Sequence, residues 1–464
     1  MKKLTLTIAG FFSSIIFITG QEKFIETPLH VSSTAGIYSP SSLSGDYLYF
    51  VVVDGDLFTR FLMDSKTKKI SSFSEKRNIN ASLYSGGHKI LASRSSADNS
   101  MQFMEADGRF YFETVNFATK ENTVEEFKFK KERFIGAAVA GDYIIAVTHP
   151  RSSQSLRFYF KKDNESPRFH DADLTSLEKT ELPETDEGGS NEVDLNDAVI
   201  IDNNSINNVS ALASGIKIFF ENNHVIILGN QKNGLTQTFK FDIQSWTQTA
   251  EKFSFDLLDG EKHIPISNSF YWNGFLFQSA AYQKKYFLSI VEMKEKKALQ
   301  TFTAIETDSI NFKNSPIKQQ GGGTVYSKHR EFEFESTEQL LRKIRSAGTI
   351  FISVRDKNNG KLELRTGGFN KLASPIGTPM PYAYTTWDKA IFFSSLLSKD
   401  SLTHIPGVVP DNIYEQIEAY QKELNKKWFP PKWWLSSSTY TNETGFIIHC
   451  DSKNNALILY KFTD

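Results

Sequence analysis

The chain has 464 residues, with 53 Lys and Arg against 54 Asp and Glu, a net charge of −1. That balance excludes a general nucleic-acid binder, which needs a basic surface, and the length implies two or three domains or one large repeat fold. Cys450 is the only cysteine, so no intrachain disulfide can form, and stability rests on a core that a chain of this size can make large.

Residues 1–20 read as a secretory signal peptide: Lys2 and Lys3, an apolar run from Leu4 to Ile18, then the small pair Thr19-Gly20. The run is shorter than the roughly 20 residues of a membrane span. Cleavage after Gly20 leaves Gln21 first; the alternative is an uncleaved anchor. Gln21 is not the cysteine that a lipoprotein needs at that place. Loss of Lys2 and Lys3 leaves 51 basic against 54 acidic residues, net −3. The expectation is an exported protein, periplasmic or extracellular, without a stable membrane span after signal removal.

Gly45–Phe73 is the unit from which the remaining chain is built. Tyr47–Val53, a turn at Asp54-Gly55-Asp56, Leu57–Met63, a polar turn Asp64–Lys68 and Lys69–Phe73 read as three short strands. Asp-Gly favours the left-handed dihedrals of a tight hairpin. The first strand is apolar at every position: Tyr47, Tyr49, Val51 and Val53 point one way, Leu48, Phe50 and Val52 the other. A strand with one wet face alternates instead, so this sheet is covered on both sides.

A Gly, Asn or Asp turn followed by an apolar run returns at Gly87, Gly141, Asn223, Gly274, Gly348, Asp388 and Gly445, eight starts with Gly45. A four-stranded propeller blade takes about 40–50 residues, so the short intervals fit one blade and the long ones carry insertions. Antiparallel hairpins covered on both faces suit radially stacked blades. The expected fold is all-β: a β-propeller of about seven blades, six to eight, each four-stranded and antiparallel. Two short helical insertions and N-/C-terminal ring closure complete it. Lys23–Val31 is expected to pair with Leu457–Phe462, because partial sheets at the two ends would leave exposed edges. Met63-Asp64-Ser65-Lys66-Thr67-Lys68-Lys69-Ile70 and, more loosely, Phe241-Asp242-Ile243-Gln244-Ser245-Trp246 resemble the strand–turn–strand of quinoprotein-like and kelch-like propellers. The chain lacks the kelch Gly pair and the sialidase Asp box, so the resemblance implies a fold and no activity.

Residues 21–464 read as one propeller domain with insertions at 162–208, 306–348 and 405–440. The first holds 13 Asp and Glu against Lys162, Arg168 and Lys179 and reads as an acidic surface loop. The second contains Gly321-Gly322-Gly323 and a helix with Ser336 as N-cap, Gln339 three residues later and Gly348 as stop. Its apolar face is Leu340, Leu341, Ile344 and Ala347. The third reads as a helix over Asp411–Phe429, with Ile413, Ile417, Tyr420, Leu424 and Trp428 along one side, ended by Pro430-Pro431. Trp428, Trp433 and Trp434 then cluster within seven residues. They read either as packing that covers or plugs the propeller, or as an exposed aromatic platform for a sugar ring or protein partner.

Signatures of chemistry are missing. There is no G-x-S-x-G elbow, no phosphate-binding loop and no H-E-x-x-H. His170-Asp171-Ala172-Asp173 offers hard ligands but reads as solvated. Calcium is the one cofactor the acidic stretch suggests, through Asp186, Glu187, Asp194 and Asp197, although their spacing is not that of an EF-hand. The reading is therefore a non-catalytic binding propeller presenting its loops to a protein or glycan partner. The alternative is a secreted polymer-degrading enzyme, a glycoside hydrolase or lyase, whose paired carboxylates sequence cannot display.

Overall fold

The computed structural model describes residues 21–463 apart from 31, 33–34, 40–45, 77–88, 152, 164, 178–193, 204–206, 222, 232–233, 256–264, 322–331, 358–359, 371–387, 411–412, 414, 418, 422–435, 441–443 and 452–453. The described residues form seven sheets in a propeller. Blade 1 is Gly36–Tyr38, Tyr47–Asp54, Leu57–Asp64 and Ile70–Lys76; blade 2 is Lys89–Ser95, Asn99–Ala106, Arg109–Asn116 and Glu121–Phe127. Blade 3 is Glu132–Ala140, Tyr143–Pro150, Ser155–Lys161 and Arg168–Asp173. Blade 4 is Ile216–Glu221, His224–Asn230, Thr236–Asp242 and Gln248–Phe253, with Val199–Ile201 added; blade 5 is Ile266–Trp272, Phe275–Tyr282, Lys285–Glu292 and Lys297–Ile305. First strands of neighbouring blades touch, Glu132–Ala140 on Lys89–Ser95 and Ile266–Trp272 on Thr349–Lys357, which places them innermost.

The second strand of blade 1 shows why the sheets stack. Leu48, Phe50 and Val52 pack with Phe446, Ile448, Leu457 and Leu459 of blade 7. Tyr49 and Val51, on the other face, pack with Ile90, Met104 and Val115 of blade 2. Both faces are thus buried, as the unbroken apolar run requires. Each such side chain contributes about 1.5–3 kcal/mol when fully removed from water. Between blades 1 and 2 the buried Arg60 meets the buried Glu113 at 2.5 Å and the partly exposed Glu75 at 2.6 Å, so its charge enters the layer matched by carboxylates.

Blade 7 combines the two ends of the chain. Ser436–Tyr440, Thr444–Asp451 and Ala456–Thr463 take its first three places and Gln21–Pro28 the outermost. The closing register runs from Gln21 opposite Phe462 to Pro28 opposite Ala456, and Leu29 N donates to Asn455 O at 2.8 Å. The expected pairing of the first segment with the last is present.

Blade 6 explains why eight starts give seven blades. Gly348 precedes its inner strand, Thr349–Lys357, and Asp388 its third, Lys389–Ser398, with Lys361–Asn370 between them. Its outer strand, Ile317–Gly321, comes earlier in the chain, beside Phe332–Phe334. Part of the stretch read as the second insertion therefore completes a blade. The helix Thr337–Ala347 is as expected: Ser336 Oγ accepts from Gln339 N at 3.2 Å, Gly348 is left-handed at φ 73°, and Leu340, Leu341 and Ile344 are buried.

Gly367 in blade 6 has no room for a side chain. A Cβ would stand 1.9 Å from Ile391 O and 2.6 Å from Phe392 Cα. Gly108, at φ +71° in a turn, has nothing within 4 Å. Gly367→Ala should cost about 3 kcal/mol or more of stability and Gly108→Ala about 1 kcal/mol, read by urea unfolding of the two variants side by side.

Candidate interaction face

The connections divide between the two rims of the ring. First-to-second and third-to-fourth turns share one rim, where Ser65 N bonds Asp46 O, Ile243 N bonds Asn223 O and Met293 N bonds Gly274 O. Those turns are short, for example from Ala140 to Tyr143, Trp272 to Phe275 and Glu292 to Lys297. The opposite rim carries the second-to-third turns and the links between blades. There Leu174 N bonds Gln154 O and Glu306 N bonds Lys284 O. This rim receives the long connections: Lys76 to Lys89, Asp173 to Ile216, Phe253 to Ile266, Ile305 to Thr349 and Asn370 to Lys389. A further long link, Ser398 to Ser436, starts on the short-turn rim and ends on this one. The rim where the long connections gather is the candidate interaction face.

One connection returns into the ring. Arg168–Asp173, inside the stretch read as an acidic loop, is the outer strand of blade 3. Asp194 then caps a single turn, Leu195–Asp197, its Oδ1 accepting from Asn196 N at 2.8 Å. Val199–Ile201 pairs parallel with the inner strand of blade 4, on its axis side. Ile200 packs over Gly136 of blade 3, and the short helix Val209–Leu212 reaches the inner strand of blade 6. The segment therefore lies across the axis of the propeller.

A polar hub anchors it. Lys217, fully buried, donates from Nζ to Ser269 O at 2.7 Å and to Asn268 Oδ1. Asn268 Nδ2 donates to Ala213 O at 3.2 Å, Ser214 O at 3.4 Å and Ile350 O at 3.0 Å. Asn268 thus joins blades 4, 5 and 6 to the end of the axial segment. Burial pushes the Lys217 ammonium far below its ordinary range. Nothing in the sequence marks this lysine, which sits between Ile216 and Ile218 in an apolar strand.

The seam between blades 6 and 7 is built differently. Glu363 is buried with Arg355, with Arg365 at 3.3 Å, with Lys357 at 4.0 Å and with Ser394 Oγ at 3.2 Å. Burial alone would raise its carboxyl, but Arg355, Arg365 and Lys357 outweigh that and hold it at about 2. Arg365 also reaches Glu415 at 3.4 Å. Residues 413–421, helical where described, pack Ile413 and Ile417 on Ile447 and Phe462 of blade 7. Tyr420 packs its ring tilted against Tyr460 and edge-on to Phe462. The third insertion thus wedges into this seam, with its apolar stripe on blade 7 and Glu415 on blade 6.

Trp428, Trp433, Trp434, Asp186 and Glu187 lie outside the described residues. Asp194 and Asp197 both belong to the turn Leu195–Asp197 and its cap. Among the described residues no group of three or more His, Cys, Asp or Glu side chains is placed to hold a metal ion. His170 stacks on Trp246 of blade 4 at 5.0 Å, and Trp246 Nε1 donates to Asp171 O at 2.9 Å. Burial and Arg168 lower the His170 pKa. The turn Phe241–Trp246 carries this contact between blades. Cys450 is buried, and burial pushes its thiol up to about 12.

No protein-family profile matches the chain, and no curated protein sequence matches it. Solved structures similar to it include BamB from Moraxella catarrhalis, at 10% identity over 95% of this chain and 100% of that one, TM-score 0.31. The WD40 domain of SCAP from fission yeast is similar at 8% identity over 95% and 98%, TM-score 0.35. A luciferin-regenerating enzyme is similar at 8% identity over 83% and 98%, TM-score 0.29. The chain is a β-propeller by its seven sheets and their closure. Among the described residues no helix is long and apolar enough to cross a membrane.

Two buried charges both make stability rise with pH, in different windows. Glu363 is held at about 2, below the 4.5 of a free glutamate. Its contribution to stability is complete above pH 4.5 and is lost as pH falls toward 2. Glu363→Gln should cost about 3–5 kcal/mol at neutral pH and less at pH 3, measured by urea unfolding. Lys217 binds its proton more weakly folded than unfolded, so its effect on stability improves as pH rises toward the unfolded value of 10.5. Lys217→Met should remove that rise, so that wild-type stability gains on the variant's as pH climbs toward 10.5, measured by urea unfolding of both across pH.

Proposed function

We propose that the chain is an exported propeller, periplasmic or extracellular, that binds a protein or glycan partner through the rim carrying its long connections and performs no catalysis. One observation carries the reading: the long links gather on one rim, and the other rim holds mostly short turns. Short turns minimise exposed backbone and suffice to build blades, whereas variable loops on a rigid scaffold are where recognition concentrates. Trp428, Trp433 and Trp434 are proposed as its aromatic contacts, since aromatic anchors dominate such interfaces. The described segments that flank them are the wedge at 413–421 and the inner strand Ser436–Tyr440 of blade 7, which begins on that rim.

The test is a glycan array together with a pull-down from cell-envelope extracts, using residues 21–464. Specific capture of a glycan or protein is expected, weakened at least tenfold by a Trp433→Ala, Trp434→Ala double variant that keeps its melting temperature. Turnover of a polymer substrate by the purified protein would refute the non-catalytic reading. Capture unchanged by the tryptophan substitutions would remove them from the contact.

A further inference from the structure

A propeller blade ends in an outer strand whose far edge has unpaired backbone groups, and proteins guard such edges with charge, proline or cover. In six blades the outermost strand carries carboxylates: Gln21–Pro28, Ile70–Lys76, Glu121–Phe127, Arg168–Asp173, Gln248–Phe253 and Phe332–Phe334. Blade 3 adds cover, because Trp246 and Gln248 side chains donate to Asp171 O and Asp173 O along its edge. Blade 5 differs. Its outer strand, Lys297–Ile305, has no charge after Lys297.

Three features of that strand concern its partner. Glu306 N bonds Lys284 O at 2.8 Å, and bonds alternate along an antiparallel pair. Thr301, Thr303 and Ile305 consequently turn their backbone groups away from blade 5's third strand, Ile305 O accepting from Asp308 N at 3.0 Å, and their side chains are exposed. Leu299 and Ile305, at 37% and 41% exposure, are two of the six large hydrophobic side chains left open among the described residues. A bulge at Leu299 interrupts the pairing with the third strand, and Gln300–Ile305 keep an unbroken register. Finally, Leu299-Gln300-Thr301-Phe302-Thr303-Ala304-Ile305 is nearly palindromic about Phe302. Lys294, Glu295, Lys296 and Lys297 precede it, and Glu306 and Asp308 come after it. Lys296 is paired with Glu251 at 3.3 Å, and Glu306 with Lys284 at 3.0 Å and Arg345 at 3.3 Å, which leaves Lys297 and Asp308 as the charges that face outward.

We propose that this strand pairs antiparallel with the same strand of a second copy of the chain, about a two-fold axis through Phe302. A two-fold interface must be complementary to itself, and a palindrome with a basic end and an acidic end meets that condition. Thr301 falls opposite Thr303 of the partner subunit, twice, and both exposed aliphatic side chains are covered. The antiparallel direction brings Lys297 of one copy toward Asp308 of the other; a parallel partner would set like against like. Paired edges then merge the two blades into one eight-stranded sheet.

Sedimentation of the purified protein from micromolar to millimolar concentration should show a dimer, and Thr301→Lys should abolish it without lowering the melting temperature. Register is tested by cysteine. A mixture of Thr301→Cys and Thr303→Cys copies should give an oxidised covalent dimer, while each variant alone gives none. Directly opposed hydrogen-bonded residues lie about 5.5 Å apart, within disulfide reach, and the buried Cys450 does not compete. A protein monomeric throughout, a dimer that survives Thr301→Lys, or a cysteine that links only to a different protein would each overturn the proposal.

Discussion

The blades of this protein have two covered faces, and that constraint organises the rest. A sheet buried on one side can float at the surface of a domain; a sheet apolar on both sides must be sandwiched. Each blade therefore needs two neighbours, and a ring gives every blade two. The apolar layers run round it: blade 7 with 1, 1 with 2, 2 with 3, 3 with 4, and a larger cluster through 4, 5 and 6. Sharing blade 7 between the two chain ends makes the ring a closed object, since opening it would strip both a layer and a ladder of hydrogen bonds running from Gln21 to Pro28.

The layer between blades 6 and 7 departs from this rule, and its chemistry shows why it needs a third element. Blade 6 turns Arg355, Glu363 and Arg365 toward the seam, and a charged face cannot be matched by an apolar one without leaving groups unpaired. The wedge at residues 413–421 resolves the mismatch by being amphipathic, with isoleucines against blade 7 and Glu415 against Arg365. Glu363 remains ionised in this buried place because three cations surround it. Lys217 meets the opposite solution. It bonds carbonyl oxygens, and burial disfavours its charged form.

Sequence patterns reveal these elements to the extent that their causes are local. The two-sided apolar run at Tyr47–Val53, the Asp54-Gly55-Asp56 turn and the Ser336-capped helix are each specified by neighbours within a few residues, and each stands where its pattern puts it. Ring closure is legible for a different reason: unmatched edges at both ends have one economical remedy. Blade 6 is not legible in this way. Its outer strand precedes its inner one, and a polar stretch such as Ile317–Gly321 pairs because of where blade 6 stands, not because of its own residues. The axial elements Val199–Ile201 and Val209–Leu212 hide beside an acidic stretch for the same reason. His170 is polar by type yet serves as a stacking surface for Trp246, a residue 76 positions away in the chain.

The division of the two rims belongs to the same ring. Once the strands alone carry the stability, a longer link costs little, because closure entropy grows only with the logarithm of its length, about 0.6 kcal/mol per doubling. Four of the long links join the outer strand of one blade to the inner strand of the next, and with four antiparallel strands to a blade such crossings fall on one rim. Topology thus chooses the rim, and what folding leaves open is the length of each link beyond the crossing itself. Two of those links also give structure back to the ring, one as the outer strand of blade 6 and one as the segment across the axis, tied by Asn268 to three blades. A rim whose loops are anchored to the scaffold in this way can hold a fixed shape, and a fixed shape lowers the ordering cost that any recognition surface must meet.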